Sequence, residues 1–202
     1  MDSSILARFE EERVSPVWGY EERDVQWFEE NILPDLHEVH ERLKLGPTLM
    51  DVGCGFGYFT VRYTEYFEKV YGVDFSEKRI AGAKQHNPHK QVEYRCRDLL
   101  KGVKIPVDTV ITSAVIQHIN PDDRIKAMIN ISSALPTGGY MIMYDENFND
   151  RPHMWDGFYQ PISPDWLESI PLWRLEDYKY VAKGLHGEKI YRYEMQAVKW
   201  SY

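Results

Sequence analysis

Three glycines alternate with other residues in TLMDVGCGFG, residues 48–57, directly after a short apolar run. Glycine is normally used where φ must be positive or where another atom must come close to the main chain. Gly53, Gly55 and Gly57 therefore predict a turn whose bare backbone a ligand can touch. Asp51 precedes this turn, where its carboxylate would repel a pyrophosphate and favours a ligand that carries positive charge.

A second acid, Asp74, closes the apolar stretch KVYGVD, 21 residues after Gly53 (74 − 53). A carboxylate at the end of the second strand of a parallel sheet can accept hydrogen bonds from both hydroxyls of a ribose. The turn and the acid together predict a site for an adenosine-containing cofactor. The dinucleotide fingerprint G-x-G-x-x-G fits less well, because Tyr58 stands where its third glycine is needed and Gly57 comes one residue early.

A candidate acid–base group lies in SAVIQHIN, residues 113–120. The ordinary pKa of a histidine, about 6.5, suits proton transfer, which makes His118 a candidate general base. The alternative is that His118 caps or packs the helix that follows. Gln117 beside it is a candidate for orienting a cofactor or a substrate.

Aromatic side chains with polar tips make good pocket linings, and two groups of them lie outside the glycine-rich region. Trp18 and Tyr20 come early in the chain, and His153 and Trp155 belong to a long stretch rich in proline, glycine and aromatics. We predict that the N-terminal helices and residues 147–165 form a lid over the substrate. The alternative for such aromatics is a place in the core.

The elements that must position these residues follow from periodicity. In residues 20–45, Phe28, Ile32, Leu36 and Val39 recur at three- and four-residue steps, which predicts an amphipathic helix that Pro34 kinks or splits. Residues 1–46 are therefore expected to be a helical N-terminal cap.

Strand-like and helix-like segments alternate after residue 46, which predicts a parallel sheet with helices on both faces. Residues 58–69, YFTVRYTEYFEK, are interpreted as the first of these helices, and Ser76 as the N-cap of the next. Two alternating strands near the end, joined by AKGLHG, predict an antiparallel hairpin. The expected fold is α/β and Rossmann-like: a seven-stranded mixed sheet in a domain over residues 47–202.

Composition limits the partners. The chain has 202 residues, 43% of them hydrophobic, and a net charge of −8 without a dense basic cluster, which disfavours nucleic acid. No apolar run reaches the ~18 residues of a membrane span, and no secretory signal is visible. Cys54 and Cys96 form no disulfide framework, so we expect a reducing, cytoplasmic location.

The set DVGCGFG, YGVDFS and CRDL, in this order, resembles the class I S-adenosylmethionine-dependent methyltransferases over residues 48–146, about half of the chain. The resemblance implies S-adenosylmethionine as cofactor, with Asp51, Gly53 and Gly55 against its methionine half. It assigns the remaining cofactor contacts as follows: Asp74 on the ribose, Phe75 and Leu99 beside the adenine, Asp98 on the adenine amino group, and Ser113 through its backbone.

Departures from the family's other patterns narrow the chemistry. TSAV, residues 112–115, replaces the Asn/Asp-Pro-Pro-aromatic motif of methylases that act on adenine or glutamine. Asp145, Glu146 and Asn147 echo only part of the metal site of the catechol enzymes, so no metal is expected. The leading prediction is methyl transfer to oxygen or nitrogen of a small molecule. The alternatives are a protein or RNA acceptor, or a non-catalytic subunit that binds the cofactor and activates a partner.

Overall fold

A computed structural model describes residues 22–147, 162–184 and 189–198 of the chain. Trp18, Tyr20, His153 and Trp155, the four aromatic candidates for substrate binding, lie outside these residues. The division into a cap over residues 1–46 and a domain over 47–202 therefore stays a prediction.

Seven strands form one sheet in the order β3-β2-β1-β4-β5-β7-β6. The strands are β1 (Thr48–Val52), β2 (Lys69–Asp74), β3 (Val92–Cys96), β4 (Thr109–Ser113), β5 (Tyr140–Asn147), β6 (Trp173–Lys183) and β7 (Lys189–Ala197). The first five are parallel, and β7 pairs antiparallel with both β5 and β6. The predicted mixed sheet with its closing hairpin is confirmed. Strand order reverses between β1 and β4, the position where open α/β sheets bind ligands.

The described helices are α1 (Glu22–Leu43), α2 (Glu77–His86), α3 (Pro121–Ser132) and α4 (Pro164–Glu168). Ser76 caps α2 as predicted, since its hydroxyl accepts a hydrogen bond from the Arg79 N–H at 3.3 Å. None of these helices is long and apolar enough to cross a membrane.

Helix α1 packs on one face of the sheet. The predicted stripe is buried there, with Phe28, Ile32, Leu36 and Val39 each at most 2% exposed. Pro34 does not split the helix, which is 22 residues long and includes Pro34 in its interior. The other face packs against α3 and α4 through a second apolar cluster.

The helix predicted over residues 58–69 is wrong. The structure has turns there and one short 3₁₀ helix, Arg62–Glu65. β-Branched and aromatic residues fill this stretch, and both types lose side-chain freedom in a helix. Phe59 instead stacks on Phe28 of α1 with ring centroids 3.9 Å apart. The hydroxyl of Thr60 donates a hydrogen bond to Asp51 near the end of β1.

Buried charges join α1 to the hairpin. Asp35 of α1 lies 2.7 Å from Arg192 of β7, measured from Oδ1 to Nη1, and the Tyr144 hydroxyl donates to its other oxygen at 3.1 Å. Arg192 is 1% exposed and also lies 2.7 Å from the carboxylate of Glu194. This ion cluster ties the helix across β5 and β7.

Candidate active site

The carboxyl ends of four parallel strands bring the predicted residues to one edge of the sheet. Val52 pairs with Val73 on one side and with Thr112 on the other, so β1, β2 and β4 end together. Asp74 pairs with Cys96 at the end of β3. The glycine turn, Asp74, Asp98 and the loop after β4 consequently share this edge, as the resemblance implies.

The three glycines of the turn all have positive φ, but they differ in what a side chain at each position would contact. A Cβ on Gly53, at φ 74°, would lie 2.4 Å from a methyl carbon of Val115. A Cβ on Gly57, at φ 80°, would lie 2.3 Å from the Tyr94 hydroxyl oxygen. Gly55, at φ 53°, has no atom of any described residue within 4 Å of that position. The described residues therefore fill the space at two glycines and leave it open at the third, where a ligand can approach the main chain.

Asp74 is a buried carboxylate that shapes the turn. It is 4% exposed and accepts hydrogen bonds from the backbone N–H groups of Gly55, at 3.1 Å, and Ser76, at 2.9 Å. Burial raises its pKa, while the bond from Ser76, the charge of Arg79 at 3.9 Å and the bond from Gly55 act to lower it. Each carboxylate oxygen can accept a second hydrogen bond, so Asp74 can hold the turn and a pair of hydroxyls together.

Asp51 is also buried, at 5% exposure, and lies on β1 one residue before the strand's end. Its Oδ2 accepts a hydrogen bond from the Thr60 hydroxyl at 2.6 Å. Burial raises the pKa of Asp51 to about 7; the bond from Thr60 acts to lower it, and the charge of Asp74 adds to the rise. A cationic ligand would stabilise this buried carboxylate, because a nearby positive charge favours the ionised form of an acid.

Phe75 and Asp98 follow the ends of β2 and β3. Phe75 is a 36% exposed aromatic ring next to Asp74. The carboxylate of Asp98 accepts a hydrogen bond from the Leu100 N–H at 2.9 Å and caps the short 3₁₀ helix that begins at Leu99. The same carboxylate lies 3.4 Å from the Lys101 ammonium. Its side chain remains 37% exposed, so it is open to a further hydrogen bond.

The loop after β4 carries Ser113 and the candidate base. Gln117 is fully buried, and its amide nitrogen lies 3.4 Å from Nε2 of His118, which is half-buried. The following helix α3 is capped by Asn120, whose side-chain oxygen accepts the Asp122 N–H at 3.1 Å. The capping role considered for His118 thus belongs to Asn120.

A buried arginine that the motifs did not indicate holds this loop. Arg124 of α3 is 5% exposed and donates from Nε to the Ile119 carbonyl at 3.0 Å and from Nη2 to the Gln117 carbonyl at 2.8 Å. These two carbonyls flank His118 along the chain. The guanidinium also lies 6.0 Å from the ring of Trp166 in α4.

Two further residues of the site escaped sequence reasoning. Thr60 falls in the wrongly predicted helix and carries no sequence signal as a partner of Asp51. Tyr94 fills the space beside Gly57, and its hydroxyl donates to the Asn87 carbonyl at 2.9 Å. A glycine inside a strand marks close approach of another group, and Gly72, which also faces the Tyr94 ring, was such a signal.

No three metal-ligating side chains lie close together within the described ranges. The expectation that no metal is needed stays a prediction.

Comparisons with known proteins agree with this geometry. Residues 50–143 match the family described as a methyltransferase domain. The ubiquinone biosynthesis O-methyltransferase of Rhodopseudomonas palustris is 29% identical over 147 residues, which cover 61% of this chain and 55% of that protein. The chain spans about half the length of the curated relatives it matches.

Two solved structures show the same fold at low identity. The magnesium protoporphyrin IX methyltransferase of Synechocystis PCC 6803 superposes with a TM-score of 0.72 at 16% identity, covering 97% of this chain and 100% of that one. The 1,6-didemethyltoxoflavin-N1-methyltransferase of Burkholderia thailandensis gives a TM-score of 0.70 at 17% identity, covering 98% and 87%. Both were solved with S-adenosylhomocysteine bound. The predicted Rossmann-like fold is confirmed.

Proposed function

We propose that the chain is a class I S-adenosylmethionine-dependent methyltransferase that methylates oxygen or nitrogen of a small molecule; the match of residues 50–143 to a methyltransferase domain supports this. The observation that carries the proposal is the space that the described residues leave open at Gly55, whose N–H donates to the buried Asp74, in the turn that follows the buried Asp51. An adenosine carries hydroxyls for one acid, and the methionine half of the cofactor carries positive charge for the other.

The residues at this edge fit the cofactor. Asp74 would accept hydrogen bonds from the ribose hydroxyls, and Asp51 would lie against the methionine half. Phe75 and Leu99 would offer apolar surface to the adenine, and Asp98 would accept from its amino group. Ser113, Gly53 and Gly55 would contribute backbone contacts.

Bound S-adenosylmethionine supplies an electrophilic methyl group on a sulfonium sulfur. The protein's part is to align the acceptor in line with that methyl group, and orientation of this kind contributes ~7–11 kcal/mol in favourable cases. His118 accepts the proton that a hydroxyl acceptor loses. The amide nitrogen of Gln117 lies 3.4 Å from Nε2 of His118, a contact that can orient the imidazole ring.

A small-molecule acceptor is favoured by the kinds of protein that share the fold. The two solved neighbours are named for methyl transfer to a porphyrin and to a toxoflavin precursor. The net charge of −8 disfavours nucleic acid as acceptor.

Helix α1 supports the proposal that the N-terminal region caps the substrate. Phe28 of α1 stacks on Phe59 beyond the glycine turn, and Glu29 lies 3.0 Å from Arg62. The indole N–H of Trp27 donates to the Lys183 carbonyl at 3.1 Å. The first turns of α1 are thereby held beside the edge where the cofactor would bind.

Titration calorimetry with S-adenosylmethionine and S-adenosylhomocysteine tests cofactor binding. Turnover is measured as S-adenosylhomocysteine formed from a panel of phenols, carboxylic acids and amines. We expect binding of both ligands and turnover with at least one class of acceptor. His118→Gln is expected to lower the turnover of a hydroxyl acceptor about 10²–10⁴-fold while S-adenosylhomocysteine affinity is unchanged.

His86→Gln, an exposed histidine at the end of α2, is the matched control and should act like the wild type. Absence of binding at millimolar ligand would overturn the proposal. Binding without turnover on the whole panel would favour a non-catalytic subunit or a macromolecular acceptor.

A further inference from the structure

A single buried hydroxyl links the segment after the glycine turn to the strand before it. Thr60 is fully buried, and its Oγ1 donates to Oδ2 of Asp51, nine positions earlier in the chain, at 2.6 Å. The bond joins the strand end before the glycines to the segment after them. Among the described residues, it is the one side-chain hydrogen bond to Asp51.

The surroundings of Asp51 contain little that favours its negative charge. Asp74 at the end of β2 is itself an acid, and its negative charge raises the pKa of Asp51 further. Cys54 in the turn and Tyr94 on β3 are kept neutral, because burial raises the pKa of both. Arg79 of α2 lies 3.9 Å from Asp74. The Thr60 hydroxyl therefore remains as the group that acts directly on Asp51 to favour its ionised form.

The same bond orients the carboxylate. With Oδ2 occupied by Thr60, Oδ1 is the oxygen that accepts no hydrogen bond from any residue described. A carboxylate that is already turned toward the ligand loses less freedom on binding than one that must first be arranged.

We infer that Thr60 is a positioning residue for the cofactor: its hydroxyl holds Oδ2 of Asp51 and turns the carboxylate so that Oδ1 receives the ammonium group at the amino-acid end of S-adenosylmethionine. The inference rests on the proposed function and extends it to a residue that does not itself touch the ligand. It also separates two halves of the site, since Asp74 serves the adenosine and the Thr60–Asp51 pair serves the amino-acid end.

This separation can be tested with two ligands and two variants. S-Adenosylhomocysteine carries the amino-acid end, whereas 5′-methylthioadenosine lacks it and keeps the adenosine. Thr60→Val keeps the shape of the side chain without the hydroxyl, and Thr60→Ser keeps the hydroxyl. We expect Thr60→Val to weaken S-adenosylhomocysteine binding about tenfold or more, to leave 5′-methylthioadenosine within twofold, and Thr60→Ser to resemble the wild type with both ligands.

The pH dependence gives a second readout that a merely structural role would not move. Wild-type affinity for S-adenosylhomocysteine should rise with pH and level off above about pH 7, as Asp51 ionises. In Thr60→Val the levelling should move to higher pH, because the bond that lowers the pKa of Asp51 is gone. A purely structural loss would weaken binding equally at every pH.

The outcomes distinguish the two proposals. If the wild-type protein binds neither ligand, the proposed function itself is overturned. If the wild type binds S-adenosylhomocysteine and Thr60→Val binds it equally well, or loses both ligands to the same extent, only the role of Thr60 is overturned.

Discussion

Two regions of the molecule bury a carboxylate, but only one of them pairs that carboxylate with cations among the described residues. Asp35, in the ion cluster under α1, has Arg192 at 2.7 Å, Lys179 at 3.0 Å and the Tyr144 hydroxyl at 3.1 Å. Asp51, at the glycine turn, has one hydroxyl and no cation that contacts it in the described part of the chain.

The pKa directions reflect this difference. Burial alone would lower the pKa of the Arg192 guanidinium, but the hydrogen bond to Asp35 and the charges of Asp35 and Glu194 raise it. At Asp51 burial dominates and raises the pKa to about 7. A buried acid with its own cation stabilises the fold, whereas a buried acid without one is costly to the fold and useful to a cationic ligand.

The largest expected effect comes from removing the shared cation of the ion cluster. Arg192→Met leaves the carboxylates of Asp35 and Glu194 buried without it, and we expect the free energy of unfolding to fall by about 3–5 kcal/mol. Urea unfolding at pH 7.5 measures the change. Arg174→Met is the matched control, because Arg174 lies on the same hairpin with its side chain 61% exposed, and it should change stability by less than about 1 kcal/mol. Equal effects of the two substitutions would show that burial does not distinguish these arginines.

A second pair of variants compares the two acids directly, by urea unfolding at pH 8. Asp35→Asn removes the negative charge that pairs with Arg192 and Lys179. It should lower the free energy of unfolding by about 1.5–3 kcal/mol. Asp51→Asn removes a buried charge that lacks a cation, and should raise it by about 1–3 kcal/mol. The same Asp51→Asn protein should bind S-adenosylhomocysteine about tenfold or more weakly.

Opposite signs of the two stability changes are the essential result. A loss of stability in Asp51→Asn as large as in Asp35→Asn would mean that Asp51 is a structural acid.

The smallest expected change between neighbouring measurements is a slope of stability with pH. The folded pKa of Asp51 is about 7 and its ordinary value is 3.8, so between these pH values the folded protein holds a proton that the unfolded chain has lost. Stability from this group therefore falls as pH rises through that window, by at most ~1.4 kcal/mol per pH unit. The measurement is the difference in unfolding free energy between wild type and Asp51→Asn from pH 4 to 8, in which contributions from other groups cancel. A flat difference would contradict the raised pKa.

Much of the site was predictable because its residues are specified by local position. An acid before a glycine turn and an acid closing the next strand are brought together by any parallel sheet, so Asp51, Gly55 and Asp74 could be found from spacing. The cap of Ser76 likewise depends on its immediate neighbours. Assignment of individual ligand contacts to these residues remains a prediction.

Other features could not be found, because they depend on contacts between distant segments. Residues 58–69 looked helical in the alternating pattern, but the stacking of Phe59 on Phe28 and the bond from Thr60 to Asp51 accompany a turn there instead. No local pattern distinguishes the buried hydroxyl of Thr60 from that of a surface threonine.

The sequence by itself determined the alternation of strands and helices along the chain, the glycine turn and the identity of the acids, since these follow from periodicity and from what glycine and carboxylates can do. Only the tertiary structure decided which glycine faces open space and which acid has a cation beside it. Among the described residues, packing fills two glycine positions with Val115 and Tyr94 and leaves Gly55 open. It likewise places an arginine against Asp35 and only a hydroxyl against Asp51, because burial and charge depend on neighbours far away in the chain.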